Sequence, residues 1–451
     1  MTLALMAQVS ATVAFVCAGF LFCLLLGDLY LVALHLVLRR DGVAREAALL
    51  ARPQPDGGAL PHVVVQITVC NEGGVVTRAI QAAAQLDWPR EKLHIQVCDD
   101  SDDETTELAR AAIAPIAQSG IDVRLLRRKN RSDFKAGNLR AAMAETTHDY
   151  FAIFDVDYVP PPDFLRRCMP PLIADPALAF VQARPDFLNA DENAVTRAAA
   201  LHLDAHHAIE QATRCWAGHP LQFNGTCGIW RRAAIESCGG WSGATMLEDV
   251  DLGYRAAFNG WRALFLTSVS APGELPATPR VWMLQQRRWK VGLCQNARLH
   301  IPHLLTSRKL ALSARLGGLL HLGTLWWAPP VGRLMLVAAC IAAVLQPEWL
   351  LIFVAVWVAL ALAAHLEHLV HLRVGQRFVR GSAVPMRRFL ADFLHLSALV
   401  VWMEITSIGA NWRRLIGRGD AYRRTPTTGN PGWIRSGGVA RAATAPLDKS
   451  C

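Results

Sequence analysis

Residues Tyr150 to Phe164 read YFAIFDVDYVPPPDF, and the fold turns on how that stretch is taken. A short apolar run ends in two aspartates one position apart. Side chains alternate along a strand, so Asp155 and Asp157 share one face. Two carboxylates on one face repel each other unless a cation lies between them. A solvated loop rich in Asp and Pro would carry the same letters, so the surrounding sequence has to decide.

Outward from this point, short apolar runs alternate with helical patterns. The spacing predicts strands over 63–69, 93–98, 122–126 and 150–154, and helices over 74–85, 103–117 and 135–145. That alternation predicts an α/β domain with a largely parallel sheet. Ligands of such sheets bind at the C-terminal ends of the strands. Three of these strands end in polar groups: VCNE (69–72), VCDDSDDE (97–104) and FDVD (154–157). Carboxylates gathered at one sheet edge mark a site.

At 451 residues the chain exceeds one small core. It is 52% hydrophobic yet 18% charged, which suits a soluble domain joined to membrane segments. Basic residues exceed acidic ones by 9, and much of the excess flanks apolar runs, as in cytoplasmic loops. No aromatic–basic interleaving accompanies it, which argues against nucleic acid as a partner. The 11 cysteines form no C-x-x-C pair and predict neither a zinc site nor a disulfide framework.

Ala11 to Leu38 is long enough to cross a bilayer, and Arg39, Arg40 and Arg45 follow it. Residues 1–40 are therefore read as an uncleaved anchor with its N-terminus outside, 41–60 as a linker, and 61–300 as a cytosolic domain. Residues 301–412 form a C-terminal membrane region, with spans near 319–345 and 350–371. The segment 389–412 carries Asp392, His395 and Glu404 and is read as an interfacial helix. The loop 372–388 holds five arginines and no acid, which places it in the cytosol together with the tail 413–451. An Ala- and Arg-rich composition points to a bacterium, and so to an inner membrane.

The ordered motifs are QITVCNE (66–72), QVCDDSDDET (96–105), FKAGNLRAAM (134–143), FDVD (154–157), FNGTCGIWRRAAIESCGGW (223–241), MLEDVDLGYRAAFNGW (246–261) and QQRRW (285–289). Over residues 60–300 this set resembles the membrane glycosyltransferases of family 2. It is most similar to plant mannan and glucomannan synthases and their bacterial relatives, with cellulose synthases further off. The resemblance implies a GT-A, Rossmann-like cytosolic domain fused to transmembrane helices. It also implies transfer of a hexose from UDP-glucose or GDP-mannose to a growing β-glycan, by one inverting displacement.

The same resemblance implies roles. Asp155 and Asp157 correspond to a D-x-D motif holding Mg²⁺ or Mn²⁺, with Asp157 the first choice for direct ligation. Asn71, Glu72, Asp99, Asp100, Lys135, Asp155, Gln285 and Arg288 would bind the donor. Asp249 would be the general base, with Glu248 its neighbour, although Leu247 stands where the family has Thr. Trp289, Gly225 and Thr226 would line the acceptor. Cys70 occupies the place of an aromatic that stacks on the nucleobase, which leaves UDP versus GDP open. The tail segment 421–429, AYRRTPTTG, partly resembles a gating loop, with Tyr422 and Thr425 fitting and Thr427 in place of Lys.

His202 and His206 lie four apart on a helix without a third ligand type nearby, and are read as part of a helix near the acceptor entrance instead of a zinc site. Partners implied are a nucleotide-sugar donor, a glycan or lipid acceptor and membrane lipids; an export partner or homo-oligomer is left open. Two rival readings stand beside the β-glycan synthase. One is a glycolipid synthase acting on a hydroxyl of diacylglycerol or ceramide. The other is a catalytically silent membrane protein that binds a nucleotide or a partner.

Overall fold

The computed structural model describes residues 2–52, 57–381 and 384–415. The chain opens with one long helix, α1 (Leu3–Leu50). Then follow β1 (Val63–Val69), α2 (Gly73–Ala84), β2 (Leu93–Asp99), α3 (Thr105–Gln118), β3 (Asp122–Arg127), α4 (Phe134–Ala144) and β4 (Tyr150–Asp155). Every strand and helix read from the sequence over this stretch is present, with ends within two residues. The domain continues with α5 (Phe164–Ala174), β5 (Leu178–Phe187), α6 (Ala194–Ala205), α7 (Thr213–Trp216), β6 (Gly228–Arg231) and α8 (Arg232–Ser237). It closes with α9 (Glu248–Phe258), β7 (Arg262–Gly273) and α10 (Pro279–Thr306). A π-helical turn, His206–Ala212, links α6 to α7.

The strands form one sheet in the order β3-β2-β1-β4-β6-β5-β7. All pairs are parallel except those made by β6, which runs antiparallel to both β4 and β5. β1, VVVQITV, is buried along its whole length because helices cover both faces. Val63, Val65, Ile67 and Val69 pack toward α2, α3 and α5, whereas Val64 packs toward α4, α8 and α9. Gln66 and Gln96 are buried side by side, with Gln66 Nε2 donating to Gln96 Oε1 at 2.9 Å.

The expected linker over 41–60 needs correction, because α1 runs unbroken to Leu50. Residues 41–50 contain no proline and dock on the domain. Gly42 lies so close to the Trp216 indole that a Cβ there would come within 2.4 Å of the ring. Glu46 is buried, and its carboxylate accepts from the N–H and hydroxyl of both Thr267 and Ser268, at 2.6 to 2.9 Å.

C-terminal to the domain lie α11 (Leu312–Leu345), α12 (Trp349–Arg380) and α13 (Met386–Leu415). Ala11, Ala14 and Ala18 of α1 pack with Ala338 and Ala342 of α11 and Phe353 of α12. Small residues of this kind allow close helix approach within lipid. Among the described residues, α1, α12 and Met386–Thr406 of α13 are long and apolar enough to cross a membrane. The span read over 319–345 falls within α11, a continuous helix of 34 residues.

By length and composition, then, α13 qualifies as a span where an interfacial helix was expected. Its two acidic residues turn toward the domain, whereas His395 is exposed. Asp392 is buried and accepts from Arg197 Nε at 2.9 Å, while Glu404 pairs with Lys290. Phe389, Phe393 and Leu396 pack against α6 and α10. Two arginines of 372–388 dock as well: Arg380 holds Asp204 at 2.8 Å, and Arg388 pairs with Asp191. The segment 421–429 lies outside the described residues.

Candidate active site

β1, β2 and β4 end level with one another, Val69 being paired with Asp99 and Thr68 with Asp155. This register gathers the acidic strand ends into one crevice. At the exit of β1, Asn71 takes a left-handed backbone (φ 54°), which asparagine tolerates better than most residues. Its N–H donates to Ser101 Oγ at 2.8 Å, and its side chain exchanges hydrogen bonds with Asp102. Cys70 Sγ sits 3.8 Å from the Asp100 carbonyl oxygen. The two loops beyond β1 and β2 are therefore tied together.

Asp99, expected among the donor contacts, bonds within the loop that follows β2. Its side chain is fully buried, and its oxygens accept from Ser101 N–H at 2.8 Å and Thr106 Oγ1 at 2.6 Å. It shapes the loop after β2. Asp100 is held by Arg128, whose Nε and Nη2 donate to the two carboxylate oxygens at 2.8 and 2.7 Å. Arg128 also donates to the carbonyls of Ser132 and Phe134, so the start of α4 is fixed against β2.

That anchoring aims Lys135 into the crevice. Its Nζ donates to Asp155 Oδ1 at 2.5 Å and to the Gly225 carbonyl at 2.8 Å. Burial works against its charge, but Asp155, Glu248 and Asp249 outweigh burial and hold the ammonium above its usual range. Asp155 also accepts from Thr68 Oγ1 at 3.1 Å, and its N–H donates to Thr226 Oγ1 at 3.1 Å. Gly225 takes φ +74°, and a Cβ there would sit 2.9 Å from Asp249 Oδ2 and 3.3 Å from Lys135 Nζ. Glycine is required at this position twice over, by conformation and by space.

Asp157 lies deeper. Burial raises its carboxyl well above the usual range, and Asp155, Glu72 and Glu274 raise it further. Arg78 donates to Glu274 Oε1 at 2.8 Å and to the Asp157 carbonyl at 3.2 Å. So many carboxylates around one point make a hard, oxygen-rich donor set, and the repulsion on Asp157 is what a divalent cation would relieve. Asp155 and Asp157 fit Mg²⁺ or Mn²⁺, with Glu72 close by.

Across the crevice, Glu248 and Asp249 open α9, where the helix N-terminus favours negative charge. Burial and the adjacent Glu248 push Asp249 up to about 7, against the pull of Lys135. Burial also raises Glu248, while Lys135 and Arg288 lower it. Leu247, in place of Thr, packs on α10 at Gly292, where a Cβ would come within 2.4 Å of Leu247 Cγ. The hydroxyl comes from Thr245 instead, which donates to the Leu247 carbonyl at 2.9 Å. Asn296 donates to Thr245 Oγ1 and to the Leu247 carbonyl, and Gln295 accepts from Met246 N–H at 2.8 Å. One turn on, Asp251 is held by Arg255 and by His300 at 3.0 Å; burial alone would raise its carboxyl, but these bonds keep it below its usual range.

Gln285, Arg288 and Trp289 are half-buried on α10 at i, i+3 and i+4, and so share one face. His206 Nδ1 faces Glu210 Oε2 at 3.1 Å, and Gln211 donates to Asn224 Oδ1 at 2.8 Å. The π-turn thus leans on the loop that carries Gly225 and Thr226. Sequence reasoning missed Arg78, Arg128, Thr245 and Asn296. Arg78, Arg128 and Asn296 act across gaps in sequence and leave no local spacing to read, and Thr245 bonds locally to Leu247 but shows its place only through Asn296.

Residues 61–298, just over half the chain, match the family described as glycosyltransferase like family 2. The chain belongs to that family, and its α/β domain is of the GT-A type. Among named relatives it is 41% identical over 254 residues to glucomannan 4-beta-mannosyltransferase 2 of Arabidopsis thaliana, covering 55% of this chain and 48% of that one. With glucomannan 4-beta-mannosyltransferase 9 of the same plant it shares 39% identity over 258 residues, 56% of this chain and 48% of the relative. The chain spans about half the length of these curated relatives. Among solved structures, a mannosyltransferase of Pyrobaculum calidifontis in complex with GDP-Man and Mn²⁺ aligns with TM-score 0.49 and 20% identity, over 84% of this chain and 99% of that one.

Proposed function

We propose that the protein is an inverting membrane hexosyltransferase that extends a β-glycan from a nucleotide sugar, with GDP-mannose the preferred donor and UDP-glucose the second choice. The names of the Arabidopsis relatives support mannose. The observation that carries the reading is the convergence of Asp155, Lys135 and Asp249 about Gly225. Asp155 and Asp157 would hold Mg²⁺ or Mn²⁺, which supplies positive charge to the departing diphosphate. Lys135 adds a fixed cation beside it, and Arg288 offers a planar fork to the phosphates.

Asp249 takes the proton of the acceptor hydroxyl as its oxygen bonds to the anomeric carbon and the sugar–phosphate bond breaks. A base near neutrality suits that step, and burial beside Glu248 provides it. One displacement inverts an α-linked donor to a β-linkage. Trp289 gives a flat apolar face to a sugar ring, and Gly225 and Thr226 border the acceptor.

A second reading, glycosylation of a lipid hydroxyl, draws support from an apolar groove of about 300 Å³ between α6 and α13. Val195, Pro279, Leu399 and Trp402 line it. Membranes containing the protein, given labelled GDP-mannose, UDP-glucose or UDP-galactose with Mg²⁺ or Mn²⁺, separate the readings. Label in ethanol-insoluble material, lost in Asp249→Asn, is the expected result and names the donor. Label in the organic phase overturns the glycan in favour of the lipid. Nucleotide binding without transfer from any donor would leave a silent binding protein.

A further inference from the structure

At the end of the sheet opposite the carboxylates, His62, His94 and His148 form a stack. His62 leads into β1, His94 is the second residue of β2, and His148 stands just before β4. These three strands are neighbours in the sheet. Ring centroids lie 4.1 Å apart for His94 and His148, 4.8 Å for His62 and His148, and 5.2 Å for His62 and His94, with planes within 26° of parallel. One ring nitrogen from each lies within 4.8 Å of the others, the only such grouping of three among the described residues. His62 Nδ1 and His94 Nε2 are 2.9 Å apart, and His94 Nδ1 is 2.9 Å from Asp122 Oδ2. Asp122 is fixed in turn by Arg124 Nε at 2.9 Å.

The geometry points to a second metal site, in which His62, His94 and His148 bind Zn²⁺ or a similar first-row ion and Asp122 orients His94. Imidazole nitrogen suits zinc, cobalt, nickel and copper, whereas the carboxylates at the other edge suit Mg²⁺ or Mn²⁺. A carboxylate on the far nitrogen of a ligating histidine fixes its tautomer and leaves the other lone pair facing the metal. Zinc–nitrogen bonds of about 2.0–2.1 Å in a tetrahedron set nitrogens roughly 3.3 Å apart. The His62–His94 pair needs to open by only about half an ångström, and side-chain rotation brings in His148. His62 is exposed, which leaves a fourth position open to water. Six or seven residues of strand, at roughly 3.3 Å each, put about 20 Å between the two sites. This ion therefore cannot be the one that meets the diphosphate. It would clamp the entries of three adjacent strands.

The test uses the full chain in detergent, purified without a histidine tag and stripped by a chelator. Titration with Co²⁺ is expected to give visible d–d absorption that saturates at one equivalent and is displaced by Zn²⁺ but not by Mg²⁺. His94→Gln and His148→Gln should each weaken binding at least a hundredfold, and Asp122→Asn about tenfold. Melting curves in chelator establish that the variants are folded, and glycosyl transfer with Mg²⁺ should persist in His148→Gln. Absence of Co²⁺ absorption in the parent protein overturns the site. So does binding of unchanged affinity in both histidine variants, which would assign the ion elsewhere.

Discussion

Replacing Lys135 by Met tests the electrostatics of the crevice more directly than removing the base. Lys135 Nζ and Asp249 Oδ2 flank the missing Cβ of Gly225 at 3.3 and 2.9 Å, so the charges are at most about 6 Å apart. At an effective dielectric near 20, a unit pair at roughly 6 Å is worth about 2.8 kcal/mol, or about two pH units on the carboxyl. A bound cation shares that role, so about one unit is expected in the loaded enzyme. The sign follows from the base being active when ionised. Removing the ammonium makes ionisation harder, raises the Asp249 carboxyl from about 7, and moves the acid limb of the rate profile to higher pH. The assay is kcat/KM against pH at saturating Mg²⁺, reading the midpoint of the limb and not its height. Lys135→Met also loses the bonds to Asp155 and Gly225, so the plateau falls as well; Lys135→Arg keeps the charge and should hold the midpoint. A midpoint that stays put or moves down in Lys135→Met refutes Asp249 as a base coupled to this lysine.

Chelation should abolish transfer, and Mn²⁺ or Mg²⁺ should restore it, with Asp157→Asn requiring at least tenfold more metal for half-maximal rate. Gly292→Ala should press on Leu247 and cut kcat at least tenfold with little change in nucleotide affinity measured by calorimetry; adding Leu247→Ala should recover most of the loss. Glu46→Ala strips the carboxylate from four donors on Thr267 and Ser268 and should cost about 3 kcal/mol, read as a lower melting temperature in detergent.

Much of this arrangement could be read before any coordinates. The first four strands are short, apolar and evenly spaced, so their alternation with helices gives the parallel core and its polar edge directly. Other features depend on pairing across distance. Asp99 and Asp100 look equivalent on paper, yet burial assigns one to the loop and leaves the other on Arg128, 28 residues away. Asp392 and Glu404 give α13 an interfacial look because a one-dimensional pattern cannot show that Arg197 and Lys290 come to meet them. The replacement of Thr by Leu247 likewise reads as a loss until Thr245 and Gly292 are seen around it.

The unbroken α1 helix acts as a threaded rod. At about 1.5 Å and 100° per residue, the height of the crevice above the apolar stretch and its bearing around the rod are set together by the number of residues between that stretch and Glu46. One inserted residue would lift the domain slightly but turn it through more than a quarter circle, away from α11 and α12. A heptad would nearly restore the bearing, with a drift of about 20°, and raise the crevice by about 10 Å. The chain can thus change the standing height of its catalytic domain only in steps of whole turns.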